Sequence, residues 1–150
     1  MDAKISLMWK KEIIDNESLV FSRVHKDFIS SKDNLPKSSA FSNTPKEGNN
    51  LSCDWNKYCS SESSRLLIGK QIKKDGTFKN PELFSIWETN VGELRTEILP
   101  KQIVEHDPIF KNPEEFGLPN NQAHSIIIGE KPLNNAEFRV KLLKIGRWSK

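Results

Sequence analysis

Apolar residues in this chain recur in short runs, and their spacing predicts small helices and strands joined by polar connections. Leu19-Val20-Phe21-Ser22-Arg23-Val24-His25 has the aromatic and β-branched content of a strand, with Phe21, Arg23 and His25 on one face. Ile126 to Ile128, entered through His124-Ser125 and ended by Gly129, form the strongest core strand. Further strands are expected around 84–88, 101–106 and 137–145, the last because Phe138, Val140 and Leu142 alternate with Arg139 and Lys141. Two principal helices are expected, one over 7–15 with Ser6 as N-cap and one over 61–72 capped by Ser60, Ser61 or Ser63. For Val91 to Leu99 a second strand and a helical turn fit equally well.

These elements add up to an α+β fold, a single globular domain over 1–150 with a mainly antiparallel sheet and long polar loops. Its core is expected to bury Phe21, Leu67, Ile86, Val104, Ile127, Phe138 and Leu142. Residues 27–50 read as a long loop, punctuated by Pro36, Pro45 and Gly48-Asn49-Asn50, with Phe28, Leu35 and Phe41 as anchors. Two similar strings, Phe78-Lys79-Asn80-Pro81-Glu82 and Phe110-Lys111-Asn112-Pro113-Glu114, read as helix-entry turns and not as solenoid repeats, because the likeness ends outside the strings.

Composition sharpens this picture in two ways. Four tryptophans and eight phenylalanines among 150 residues supply apolar surface that a solvated, unfolded chain does not need. A mean hydropathy of -0.62 and the lack of any apolar run near the roughly 20 residues of a membrane span argue against a bilayer. The start, Met1-Asp2-Ala3-Lys4, lacks a secretory signal, and two cysteines make a poor disulfide framework, so a cytoplasmic protein with reduced thiols is expected. A net charge of +3 does not diagnose nucleic-acid binding, and the basic C-terminal stretch containing Arg139, Lys141, Lys144, Arg147 and Lys150 reads first as a solvated strand face.

Candidate chemistry centres on His106 and His124, each in a Pro/Asn-rich turn beside an apolar segment. Imidazole titrates near neutrality, so a pair of histidines meeting in space can serve as general base and acid in metal-independent RNA phosphodiester cleavage, with Arg23 stabilising developing charge. Cys53, Cys59, His106 and His124 have the ligand types of a tetrahedral zinc site without the compact spacing of zinc modules. Cys53 paired with either histidine gives a thiolate reading. Arg23 and His25 permit a nucleotide or NAD pocket, arginine gripping phosphate, aromatic rings covering a base and a late acid such as Glu130 stabilising a sugar cation in group transfer. No glycine-rich dinucleotide fingerprint or Walker loop accompanies them.

The segment Leu51 to Cys59 is dense in contact-making groups; Trp55 and Tyr58, three apart, pack on the body, and Asp54 fixes the preceding turn. With no persuasive catalytic constellation, the leading expectation is a noncatalytic protein-binding or assembly subunit that needs no cofactor and no metal. Its partner is another protein, with RNA or a nucleotide as alternatives. Trp9, Trp55, Tyr58 and Trp148 are its candidate interface anchors.

Overall fold

A computed structural model describes residues 9–43, 50–110, 119–132 and 136–149. Six strands, β1 (Leu19–His25), β2 (Asn50–Trp55), β3 (Phe84–Asn90), β4 (Ile103–His106), β5 (His124–Ile128) and β6 (Gly146–Trp148), form one sheet. Its order is β4-β5-β2-β1-β3-β6 and every neighbouring pair is antiparallel. Among the described residues three α-helices accompany it, α1 (Ser61–Leu67), α2 (Val91–Thr96) and α3 (Ala136–Lys144). The expected mixed α+β architecture with a mainly antiparallel sheet is thus the observed one. No described helix is long and apolar enough to cross a membrane.

Because side chains alternate along a strand, the register sorts residues between two faces. Val20, Val24, Cys53, Trp55, Trp87, Val104 and Ile127 point to one side, where they join Ile14, Phe41, Val91, Leu94, Ile98, Phe138 and Leu142 in the main core. The opposite side carries Phe21, Arg23, Ser52, Asp54 and His124 and is covered in part by α1. A Cβ at Gly146 would overlap the Trp87 indole, so only glycine lets β6 lie this close to β3.

Each boundary has a local cause. Ser60 and Ser63 form a reciprocal capping box that starts α1, and Asn90 caps α2 by accepting from the Glu93 N–H. Val91 to Leu99, open in the sequence, begins as this helix. The first Asn-Pro string makes a single 3-10 turn, Pro81–Leu83, entered by Asn80, whose side chain accepts from the Glu82 N–H. The second string, apart from Phe110, lies outside the described residues.

Three expectations need correction. Residues 9–15 form no helix: the Glu12 N–H donates to the His106 ring instead of to a carbonyl of its own segment, and Ile13 is 94% exposed beside fully buried Ile14. Residues 136–144 are helical, not a strand. Phe138 and Leu142, four apart, are both buried against the core while Val140 is exposed, the outcome of a 3.6-residue period and not of alternation. Of the seven predicted core residues, Leu67 is only half-buried and the other six are buried. The loop expected over 27–50 is partly built: 3-10 turns at Lys26–Phe28 and Ser38–Phe41 and a bridge between Ile29 and Pro36 organise it, and Phe41 is driven into the core.

Behind the core side of the sheet a cavity of about 20 Å³ lies among Gln102, Lys131, Thr89 and apolar neighbours. Lys131 Nζ donates to the carbonyls of Ile127 (3.1 Å) and Gly129 (2.9 Å), and burial pulls its pKa down to about 8 from an ordinary 10.5. Between those values the unfolded chain holds the proton that the folded chain has released, so this residue adds stability as pH rises. The melting temperature of the native protein minus that of Lys131→Met is therefore expected to climb between pH 8 and pH 10. A difference that stays flat in differential scanning fluorimetry would contradict it.

Candidate functional site

A cleft of about 400 Å³ opens on the α1 side of the sheet. Its floor is made by β1, β2 and β5 through Phe21, Arg23, Ser52, Asp54 and His124. Leu67, Ile68, Gln71, Lys79 and Phe84 close one flank, and Ile109, Pro119 and Asn121 the other. A pocket of this size with mixed apolar walls and a few convergent polar groups is the usual form of a small-molecule site.

Asp54 is the hub of the floor. Its side chain is 4% exposed and accepts from Arg23 Nη2 at 2.9 Å, from Asn121 Nδ2 at 2.8 Å and from the Ser64 hydroxyl on α1. Four pieces of chain, β1, β2, α1 and the turn before β5, are thus tied to one carboxylate. Arg23 Nε lies 3.5 Å from Ser64 Oγ, so the guanidinium is fixed from two sides while Nη1 has no partner among the described residues. A pre-positioned guanidinium with a free edge suits a phosphate or carboxylate ligand.

His124 sits diagonally across from Ser52, because Asp54 pairs with His124 and Ser52 with Ile126 in the β2 to β5 register. Its Nδ1 is 2.7 Å from the Asp107 carbonyl oxygen, an atom that can only accept, so Nδ1 carries the proton. In the neutral ring Nε2 is then an acceptor, and it lies 3.1 Å from the exposed Ser52 hydroxyl. The Asp107 carboxylate Oδ2 is 3.6 Å from Nδ1.

His106 is not part of this cleft. It pairs with Ser125 in the β4 to β5 register, which places it on the face opposite His124. There it is 2% exposed, stacks with Tyr58 (5.8 Å between centroids) and meets Trp55 edge-on at 5.1 Å. Its Nδ1 accepts from the Glu12 N–H at 3.0 Å and its Nε2 donates to the Gln122 carbonyl at 2.7 Å, so both ring nitrogens are occupied by backbone. The two histidine turns do approach each other in sequence and sheet order, but a one-residue offset turns the rings to opposite sides.

The other candidates are dispersed. No group of three or more metal-ligating side chains is found among the described residues, so Cys53, Cys59, His106 and His124 do not converge on a zinc geometry. Cys53 is buried on the core side with its thiol pushed up by desolvation, and burial pushes Cys59 up to about 12, so neither is a ready thiolate. His25 shares the Arg23 face but caps a turn by accepting from the Asp27 N–H, and its ring packs edge-on against Phe84. Glu130 lies past the end of β5 and does not line the cleft.

Of the four proposed interface anchors, Trp55 is a core residue whose Nε1 donates to Ser18. Tyr58 donates its hydroxyl to Glu12, Trp148 donates to the Asn34 carbonyl at 2.9 Å and packs on Trp87, and Trp9 packs edge-on against Phe110. Arg139 and Arg147, expected on a solvated basic face, are paired with Asp33 and Glu88. Lys150 lies outside the described residues.

Sequence reasoning missed Ser52 and Asn121 as site residues and assigned Asp54 to a turn. The available signal was the alternation Asn50-Leu51-Ser52-Cys53-Asp54-Trp55, a strand with one wholly polar face. Fold and cleft together define an α+β domain with an arginine-bearing cleft of mixed apolar and polar lining on one sheet face. Comparison of the chain with protein-family models, curated proteins and solved structures finds no match.

Proposed function

We propose that the cleft binds a nucleotide or a dinucleotide such as NAD, and that the protein carries out group transfer on it. The observation that supports this most is Arg23, fixed by Asp54 and Ser64 on the floor of a 400 Å³ cleft with its Nη1 unpaired among the described residues. Lys79 adds a second basic side chain among the described lining residues, beside Arg23 and the acidic Asp54. Phe21 and Phe84 supply the apolar wall against which a base can lie.

This reading has more support in the geometry than two others. Two-histidine RNA cleavage requires both imidazoles at one substrate, whereas His106 and His124 face opposite sides of the sheet. An assembly subunit anchored by the tryptophans and Tyr58 has less behind it, since Trp55 is buried and half-buried Trp9, Tyr58 and Trp148 already contact other groups of the chain. A cytoplasmic setting belongs to the proposal and agrees with two free cysteines.

Titration with ADP, NAD and inorganic phosphate, followed by thermal shift and calorimetry, tests it. A nucleotide at about one hundred times its Kd is expected to stabilise the fold by about 2.7 kcal/mol. Arg23→Lys keeps a cation beside Asp54 but loses the planar fork, and is expected to weaken that affinity by about tenfold or more while melting near the native protein. No shift with either nucleotide at millimolar concentration would overturn the proposal.

A further inference from the structure

The geometry points to Ser52 as a nucleophile and His124 as its general base, a serine-hydrolase pair acting on small carboxylic esters or other activated acyl compounds. The inference rests on the Ser52–His124–Asp107 arrangement alone and is independent of whether a nucleotide occupies the cleft.

Three features support it. The Ser52 hydroxyl is exposed at the cleft floor and 3.1 Å from His124 Nε2, within reach of direct proton transfer. The Asp107 carbonyl fixes the ring orientation and the tautomer that leaves Nε2 free to accept. The Asp107 carboxylate, 3.6 Å from Nδ1, stands where it favours the imidazolium formed during reaction. These are the nucleophile, base and orienting group of acyl transfer, assembled from two adjacent strands and the segment that follows β4.

The step balances without a cofactor. Ser52 Oγ bonds to the acyl carbon as its proton passes to His124 Nε2. The bond from that carbon to the leaving oxygen then breaks, and the departing alkoxide takes the proton from the imidazolium. Water, deprotonated by the now neutral His124, cleaves the acyl-serine, releasing the acid and restoring the Ser52 hydroxyl.

An alkyl fluorophosphonate tests the pair on the intact chain, forming an Oγ–P bond as the P–F bond breaks and fluoride leaves. Mass spectrometry is expected to place the adduct on Ser52, with none in Ser52→Ala and a rate at least about a hundredfold lower in His124→Gln. Absence of a Ser52 adduct in the native protein, or an equal rate in folded His124→Gln, would overturn the assignment. Should His124→Gln not fold, Ser52→Cys gives an independent reading, because a thiol at this position beside the imidazole is expected to react with iodoacetamide at pH 6 well above the rate of glutathione. Cys53 and Cys59 contribute little background, their thiols being pushed up by burial. A rate no higher than that of glutathione would count against the pair as firmly as an absent adduct.

Discussion

Asp54→Ala is expected to destabilise the protein by about 3–5 kcal/mol, the cost typical of removing one partner from a buried ion pair. The loss has three parts, since the carboxylate accepts from Arg23, Asn121 and Ser64 at once, and among the described residues the further side-chain acceptor for Arg23 is Ser64 Oγ at 3.5 Å. Left behind, the Arg23 side chain is only 19% exposed, and its guanidinium must either stay poorly solvated or pull away from the floor. In a domain of this size about 1 kcal/mol corresponds to about 2–4 °C, so a fall of roughly 10 °C in melting temperature is the expected reading. The double variant Arg23→Leu/Asp54→Leu removes both charges and is expected to lose much less than the two single changes summed. A melting temperature for Asp54→Ala within 2 °C of the native value, on the scale of about 1 kcal/mol or less, would mean that the hub does not hold the sheet face together.

The same residue shows why the cleft was harder to read than the sheet. β1 and β5 announce themselves through Val20, Phe21 and Val24 and through Ile126 to Ile128, side chains whose shape suits a pleated surface. β2 carries Asn50, Ser52 and Asp54 on its second face, residue types depleted in strands because they are costly on a buried pleat unless partners are supplied. Those partners, Arg23, Ser64, Asn121 and His124, lie between 10 and 72 residues away in the chain. Local pattern cannot register them. Arg23 is visible with His25 as a polar residue of a strand face, but its fixed position depends on Asp54, which the local pattern assigns to fixing a turn.

The C-terminal helix failed for a different reason. Phe138, Val140 and Leu142 satisfy alternation, while Phe138 and Leu142 also satisfy an i, i+4 helical pair, so two periods fit one segment. Packing decided between them: the core side of the sheet accepts Phe138 and Leu142 and leaves Val140 57% exposed. At the other end, Trp9 to Ile14 contain enough apolar residues for a helix, yet Glu12 is drawn off by His106, Lys57 and Tyr58, and its side chain is held below the usual carboxylate range by hydrogen bonds from Lys57 and Tyr58. Tertiary contacts here outweigh propensity.

His106→Ala is expected to cost about 3–5 kcal/mol, the range for truncating a large buried ring, and to leave the cleft chemistry intact in whatever fraction stays folded. The ring fills space between Tyr58 and Trp55, and its two nitrogens hold the Glu12 N–H and the Gln122 carbonyl. Alanine opens a cavity and leaves a backbone donor and a backbone acceptor without partners, each costing up to about 1–3 kcal/mol if water cannot reach it. His106→Gln retains polar atoms but not the planar stack, and is expected to fall between. His124→Ala is expected to have the opposite balance. Its ring lies on the cleft floor beside exposed Ser52, so its removal abolishes Ser52 labelling while lowering the melting temperature less than His106→Ala does. Measuring melting temperature and fluorophosphonate labelling on both single variants separates the roles. Equal loss of labelling at native stability in His106→Ala would show that the two imidazoles act together after all, against the register that sets them on opposite faces.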